Sequence, residues 1–345
     1  MPMAELQHFS LEHETFDSRA LKDNPAGDPS RRTVPVLLPK NHQEHPERRY
    51  PVLFFLAGFA GSGHGFLNWK SWAPSLPERL DHLRDADKIG DVIAVFPDAF
   101  TVYGGSQYLN SPATGQYEEM LVKDLVGWID TQYPALSDGR HRALLGKSSG
   151  GYAALVLGMR HADVFSAIAC HSGDMYFEYC YAHDFPRLLR QLDKYGSLDA
   201  FMEAFFAAPK KTSDLVLSMN IVAMAAAYSP NPDLPWRVEL PFDARTGEIS
   251  AEVWKRWLEH DPVRLCEQHA SALKRLRLLY LECGSRDQFH LQYGLRILRK
   301  RLDTLGVPYE AEEFNDDHSD TSYRYDESVP RVWQCVKPSV TEETS

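Results

Sequence analysis

A serine lies at the centre of the segment Arg142–Met159, between a short apolar run and a run of small, helix-forming residues. Residues Gly146–Gly150 match the pattern G-x-S-x-G, with Ser148 in the middle. Where this pattern joins a buried strand to a helix, the strained turn holds the serine hydroxyl above the sheet. The glycines are needed because the turn is tight and the helix packs close to it. The segment therefore predicts that Ser148 is the nucleophile. Ser149 is the neighbouring alternative, but the pattern places it one position past the apex of the turn.

The two groups that a serine nucleophile requires follow apolar strands later in the chain. Asp287 comes shortly after the predicted strand Leu276–Cys283, and His318 lies in a loop after the predicted outer strand Tyr309–Phe314. A serine hydroxyl attacks poorly unless a base takes its proton, and imidazole exchanges protons near neutral pH. A carboxylate beside the imidazole fixes its tautomer and stabilises the imidazolium. The chain order Ser, Asp, His is that of α/β-hydrolases.

Other residues compete for the roles of acid and base. Asp287 could instead be the N-cap of the helix that follows it. Glu282 is a weaker alternative for the acid because it lies within the predicted strand. His171 is the main rival of His318, although its position after a strand more often lines a pocket. The weaker alternatives for the base are His64 and His290.

A glycine-rich loop, Gly58–Gly65, follows the apolar run Tyr50–Ala57 directly. The loop lacks the lysine and Ser/Thr of a P-loop and the complete glycine pattern of a dinucleotide site, so nucleotide binding is only weakly supported. Acyl transfer on this scaffold uses two backbone N–H donors, one just after the nucleophile and one from the loop after this strand. We expect these donors to be the N–H groups of Ser149 and Phe59.

Apolar runs typical of buried strands alternate with helix-spaced segments on both sides of the serine. This alternation predicts a mostly parallel sheet with helices on both faces, the α/β-hydrolase fold. Pro35 suggests an edge position for the second strand. Residues 175–269 instead contain helical segments separated by proline-rich breaks. We therefore expect a core of residues 1–174 and 270–345, with residues 175–269 as an inserted, mostly helical cap.

The composition of the 345 residues, 43% hydrophobic and 25% charged, is typical of a globular protein. A net charge of −11 disfavours nucleic-acid binding. No apolar run reaches membrane-spanning length, and the N-terminal residues do not resemble a signal peptide, which favours a cytoplasmic protein. The five cysteines are widely spaced, so neither a disulfide framework nor a zinc site is expected. We expect a small-molecule substrate and no metal or organic cofactor, and we leave open a homo-oligomer.

Large apolar side chains are frequent in the predicted cap. They could line an acyl or aromatic pocket, although packing of the cap onto the core is the commoner role for any one of them. These candidates are Phe185, Phe201, Phe205, Phe206, Met219, Met224, Trp236 and Trp254. We assign substrate-pocket positions to Gly58, His171, Trp236 and Trp254, and we expect the cap to select a bulky hydrophobic or aromatic ester.

Several sequence pieces resemble the esterase D-like family of α/β-hydrolases, which includes S-formylglutathione hydrolases, feruloyl esterases, enterochelin esterases and mycolyltransferases. The pieces are YPVLFFLAGF, FPDAF with GGSQYLNSPATGQYEE, GKSSGGYAA, and ECGSRDQF with DDHSDTSY. They span nearly the whole chain except the cap. The resemblance implies the nucleophile Ser148, the acid Asp287 and the base His318, with oxyanion donors at Phe59 and Ser149. The family usually has methionine at the position of Ser149, but a backbone donor survives that change.

These observations predict a serine esterase that cleaves carboxylic esters through an acyl-enzyme. An acyltransferase that passes the acyl group to an alcohol or amine is an alternative on the same scaffold. A non-catalytic binding protein is a further alternative, and the presence of all three triad residue types argues against it.

Overall fold

The computed structural model describes residues 5–339, and an eight-stranded sheet forms its centre. The strands are β1 (Phe9–Asp17), β2 (Arg31–Pro39), β3 (Val52–Leu56), β4 (Ile93–Val95), β5 (Asn110–Ser111), β6 (Gly115–Gln116), β7 (Arg142–Lys147), β8 (Ala167–His171), β9 (Leu278–Gly284) and β10 (Glu310–Phe314). Eight of them form the main sheet in the order β1-β2-β4-β3-β7-β8-β9-β10, while β5 and β6 form a separate ribbon.

The main sheet is antiparallel at one edge and parallel elsewhere. β1 pairs antiparallel with β2, and β2 pairs antiparallel with β4. All further neighbours from β4 to β10 run parallel. The residues of β3, β8 and β9 are buried throughout, as expected for strands covered on both faces. The predicted mostly parallel sheet of the α/β-hydrolase fold is thereby confirmed.

Helices cover both faces of this sheet. They are α1 (Leu76–Asp85), α2 (Tyr117–Glu119), α3 (Val126–Gln132), α4 (Ser149–Arg160), α5 (Phe177–Cys180), α6 (Phe185–Tyr195), α7 (Leu198–Ala207), α8 (Ser213–Tyr228), α9 (Ala251–Leu258), α10 (Pro262–Gln268), α11 (Ala270–Leu273), α12 (Leu291–Leu305) and α13 (Tyr325–Val336). A π-helical segment, Met120–Leu125, joins α2 to α3. α1 and α13 pack on one face of the sheet, whereas α4 and α12 pack on the other. Among residues 5–339, no helix has the length and apolar character that a membrane crossing requires.

Helices α5 to α10 lie within the long connection between β8 and β9, where the sequence predicts a helical cap. The β-structure of this connection, all of which lies within the described residues, is limited to two isolated β-bridges, Pro230–Val238 and Phe242–Ile249. Its Phe177 and Tyr228 rings pack on Tyr152 of α4, with centroids 6.2 and 5.9 Å away. Side chains of the connection and of the sheet layers thus share one apolar cluster. The division into core and cap stays a prediction.

The expectation that Pro35 marks an edge strand is wrong. β2 lies between β1 and β4, and Pro35 is paired with His13 of β1. Pairing with β4 begins only at Val36, and the Pro35 carbonyl accepts a hydrogen bond of 3.0 Å from the Phe96 N–H, just past the end of β4. In an antiparallel pair the N and C=O of one residue face the same neighbour. The missing N–H therefore falls at the end of the β2–β4 ladder, where it costs little.

Candidate active site

Ser148 occupies a strained turn between β7 and α4. Its backbone has φ 58° and ψ −126°, a conformation that non-glycine residues adopt rarely and at a cost of about 1–3 kcal/mol. A Cβ on Gly146 would lie 2.2 Å from the Gly150 carbonyl oxygen, and a Cβ on Gly150 would lie 2.0 Å from the Leu56 carbonyl oxygen. Both flanking glycines are therefore required by the close approach of backbone to backbone.

Asp287 and His318 are brought together by the parallel pairing of β9 with β10. Each residue follows the carboxyl end of one of these strands. The His318 Nδ1 lies 2.7 Å from Asp287 Oδ2, and the other carboxylate oxygen accepts a 2.9 Å hydrogen bond from the Phe289 N–H. The N-cap of α12 is His290, so Asp287 does not cap that helix. The Asp287 carboxylate is buried and is held by both contacts.

Additional contacts fix the imidazole of His318. Its backbone N–H donates to the Gln288 Oε1 at 3.0 Å. The ring of Phe289 packs edge-on against the imidazole, with 4.8 Å between the centroids. Because Nδ1 is engaged by Asp287, Nε2 is the nitrogen that remains to exchange a proton with a neighbouring group.

Ser148 and His318 line one cavity of about 360 Å³. Its other lining residues lie within 56–76, at position 147 and within 320–325. The cavity therefore opens between the loop after β3, α1 and the turn before α13. No residue of the predicted cap, 175–269, lines it. The expectation that the cap forms the walls of the substrate pocket does not fit this cavity.

The two predicted oxyanion donors belong to two different elements of the fold. Ser149 is the first residue of α4, and Phe59 follows β3 in the glycine-rich loop. A Cβ on Gly58 would lie 3.3 Å from the Ser148 Cβ, which shows how closely this loop approaches the turn. Among residues 5–339, neither the Phe59 N–H nor the Ser149 N–H donates to another group of the chain. Both amides are therefore available to a ligand.

His171 lies outside the cavity, in contrast to its predicted place in the substrate pocket. Its Nδ1 is 2.6 Å from Glu282 Oε1, and its ring packs on Tyr325 with 4.6 Å between the centroids. Arg324 binds the other carboxylate oxygen of Glu282 at 2.7 Å. Burial alone would raise the pKa of Glu282, but His171 and Arg324 lower it to about 2. His171 and Glu282 thus form a buried pair behind the cavity rather than the acid and base beside Ser148.

The two tryptophans assigned to the pocket also lie elsewhere. Trp236 packs on Phe206, with 5.8 Å between the ring centroids, and its carbonyl accepts a 2.6 Å hydrogen bond from the Tyr103 hydroxyl. Trp254 packs on Phe185 and Trp257 within the helical connection. Their aromatic surface is used for packing among the helices. Of the four pocket positions predicted, only Gly58 lines the cavity that contains Ser148.

Each of the two alternative histidines packs against another histidine. His64 stacks on His13, with 5.9 Å between the centroids. His290 lies against His183, with 5.2 Å between the centroids. Neither lines the cavity with Ser148.

A buried polar cluster that the sequence did not predict contacts Ser149, the residue after the proposed nucleophile. The Asp174 Oδ2 accepts hydrogen bonds from the Ser149 hydroxyl at 3.0 Å, from the Gln107 amide at 3.2 Å and from the Tyr181 hydroxyl at 2.8 Å. Burial raises the pKa of Asp174, and these donors oppose the rise. The cluster links the start of α4 to the loop before β5 and to the helical connection. No sequence pattern marks it, because its members are dispersed along the chain.

Chemically, the site offers a strained serine, an oriented imidazole and two unengaged backbone donors. Over the stretch 5–339, no group of three His, Cys, Asp or Glu side chains is arranged to hold a metal ion. A parallel sheet with a serine at the strand-to-helix turn places the chain in the α/β-hydrolase class.

The family described as "Putative esterase" matches residues 29–326, which is most of the chain. The chain belongs to this family and is a carboxylic ester hydrolase. The predicted resemblance and the predicted class of enzyme are both confirmed.

Solved structures with the same fold include esterases and related serine hydrolases. A ferulic acid esterase is 19% identical, with a TM-score of 0.60 and coverage of 95% of this chain and 99% of that one. A fluorophosphonate-binding serine hydrolase of Staphylococcus aureus is 15% identical, with a TM-score of 0.60 and coverage of 96% and 100%. An S-formylglutathione hydrolase from Agrobacterium tumefaciens is 15% identical, with a TM-score of 0.56 and coverage of 95% of each chain. At these identities the likeness concerns the fold alone.

Proposed function

We propose that the chain hydrolyses carboxylic esters through an acyl-enzyme formed on Ser148, with His318 as the base and Asp287 as the orienting acid. The observation that carries this proposal is the 2.7 Å contact between His318 Nδ1 and Asp287 Oδ2, made by a histidine that lines the same cavity as Ser148. The contact supports this role because it occupies Nδ1 and leaves Nε2 as the imidazole nitrogen that can accept the proton of the serine.

In the proposed mechanism, the Ser148 hydroxyl attacks the ester carbonyl while His318 accepts its proton. The tetrahedral intermediate collapses, His318 protonates the departing alkoxide, and the alcohol leaves the acyl group on Ser148. A water molecule, deprotonated by His318, then attacks the acyl-enzyme and releases the acid. Asp287 remains ionised and stabilises the imidazolium in both halves of the reaction.

The developing oxyanion is proposed to bind the N–H groups of Phe59 and Ser149. The availability of both amides supports this assignment. Ser149 also begins a helix of 12 residues, so the positive end of the helix dipole faces the developing charge. By comparison with measured cases, each such donor contributes about 3 kcal/mol to transition-state stabilisation.

The test is the substitution Ser148→Ala, assayed with 4-nitrophenyl acetate and butyrate and by labelling with a fluorophosphonate probe. We expect kcat to fall by roughly 10⁶-fold and labelling to disappear. Ser149→Ala keeps the backbone N–H and should still be labelled. Ser213→Ala, at an exposed serine of α8, is the matched control for the substitution itself. Turnover and labelling of Ser148→Ala at the rates of the unaltered chain would refute the nucleophile assignment.

A further inference from the structure

The cavity beside Ser148 carries more positive than negative side chains, although the whole chain is acidic. Its lining contains two lysines, Lys70 and Lys147, and one aspartate, Asp320. Lys70 Nζ is 2.8 Å from Asp320 Oδ1, so these two exposed charges balance each other. The charge that remains is the ammonium of Lys147, which immediately precedes the nucleophile.

Among residues 5–339, no group of opposite charge pairs with Lys147. Its side chain is partly buried at the end of β7. Within residues 5–339 its ammonium makes neither a hydrogen bond nor an ion pair. Burial lowers the pKa of Lys147, and the carboxylates of Asp287 and Asp320 oppose that shift. An ammonium has three donors and no acceptor, so it is best satisfied by an anion.

The acids whose charges act on Lys147 are Asp287, Asp317 and Asp320, and each accepts a hydrogen bond from another group. Asp287 accepts from His318 and from the Phe289 N–H. Asp317 Oδ1 accepts from the Ser319 N–H at 2.7 Å. The ammonium of Lys147 is therefore free to pair with a group that enters the cavity. Burying a charge costs free energy, and a partner of opposite charge offsets that cost.

We propose that Lys147 selects esters that carry a carboxylate close to the ester bond. The inference rests on the proposed function, because the ester must reach Ser148 in the same cavity. A carboxylate held by the Lys147 ammonium keeps the neighbouring ester carbonyl in the cavity with the nucleophile, since Lys147 and Ser148 line the same cavity. Lys147 takes no part in bond making: water and ester still yield acid and alcohol, and His318 alone moves the proton.

The carboxylate can belong to the acyl part or to the alcohol part of the ester, and two pairs of substrates separate these sources. Mono-4-nitrophenyl glutarate is compared with neutral 4-nitrophenyl pentanoate. Separately, 4-carboxyphenyl acetate is compared with neutral 4-carbamoylphenyl acetate. The quantity measured is the ratio of kcat/KM for the charged ester to kcat/KM for its neutral partner, from which any general change in activity cancels.

The unaltered chain should prefer the charged ester in at least one pair. Lys147→Met should lower that ratio by about tenfold or more, in line with the loss of a hydrogen bond between charged groups. Lys147→Arg should largely retain the ratio, and Lys210→Met, at an exposed lysine, is the control. For the unaltered chain the ratio should also fall with added NaCl, a readout that does not depend on whether a variant folds.

Two outcomes overturn the inference in distinguishable ways. If neutral esters are cleaved but the ratio is insensitive to both salt and Lys147→Met in each pair, Lys147 does not select an anion, while the proposed function stands. If no ester of either pair is cleaved in a Ser148-dependent manner, the proposed function itself fails and this inference fails with it.

Discussion

Replacing Glu282 with glutamine should destabilise the chain in a manner that depends on pH. The Glu282 side chain is fully buried in β9. Its Oε1 is 2.6 Å from His171, while Oε2 is 2.7 Å from both Arg324 and the Tyr280 hydroxyl. Glutamine preserves the volume but removes the negative charge, so the buried guanidinium of Arg324 loses its main partner. Removing one member of a buried ion pair typically costs about 3–5 kcal/mol.

The magnitude can be worked from the pKa of Glu282. Burial would raise this pKa, but His171 and Arg324 outweigh that effect and lower it from 4.5 to about 2. A shift of this size corresponds to roughly 3 kcal/mol of stability carried by the ionised carboxylate. Because the folded-state pKa is the lower one, this stability is fully present above about pH 4.5. It is lost progressively as the pH falls from there towards about 2.

The assay is urea unfolding followed by tryptophan fluorescence at several pH values. At pH 7 we expect Glu282→Gln to unfold with a free energy about 3 kcal/mol below that of the unaltered chain, and we expect the difference to shrink between pH 4.5 and pH 3. Glu203→Gln, at an exposed glutamate of α7, should cost less than about 0.5 kcal/mol. A large difference that does not change with pH would refute the electrostatic reasoning. Unchanged stability with lost esterase activity would instead make Glu282 a catalytic acid.

Two further substitutions test the geometry of the site. Asp287→Asn should lower kcat by about 10⁴-fold, because an amide no longer holds the productive imidazole tautomer; a steady-state assay showing less than tenfold loss would exclude Asp287 as the orienting acid. In Gly150→Ala, the new Cβ would lie 2.0 Å from the Leu56 carbonyl oxygen, so the end of β3 must shift. Urea unfolding should show a loss of about 1–3 kcal/mol, and kcat should fall because β3 leads into the loop with Phe59; unchanged values of both would show that the turn can relax.

The parallel order of the strands explains why the sequence predicts the contact between Asp287 and His318. Parallel strands bring their carboxyl ends to one edge of the sheet, so groups placed after β7, β9 and β10 must lie near one another. Asp287 and His318 are 31 residues apart and lie in contact, as this reasoning predicts. The strand-to-helix context likewise anticipated the strained backbone of Ser148.

Residue type alone predicted the pocket poorly. Trp236 and Trp254 are large and apolar, as pocket residues often are, but such side chains more often satisfy their surface by packing on one another. His171 follows a strand as His318 does, yet its contact with Glu282 turns it into a buried structural pair. A similar limit applies to Pro35, which lies just outside the paired residues of β2 and β4, where its missing N–H costs little. These outcomes depend on which side chains meet, and a single sequence does not contain that information.

The position of the cavity indicates that residues outside the helical connection 175–269 select the substrate. Segments 56–76 and 318–325 are separated by most of the chain, and no periodic pattern connects them. They meet because β3 and β10 end at the same edge of the sheet, on the side covered by α1 and α13. The helical connection 175–269 instead contacts the start of α4 through Tyr181, whose hydroxyl shares the Asp174 carboxylate with the Ser149 hydroxyl. Substitutions in that connection should therefore act mainly on the stability of the turn, whereas changes at Lys147 should act on the choice of ester.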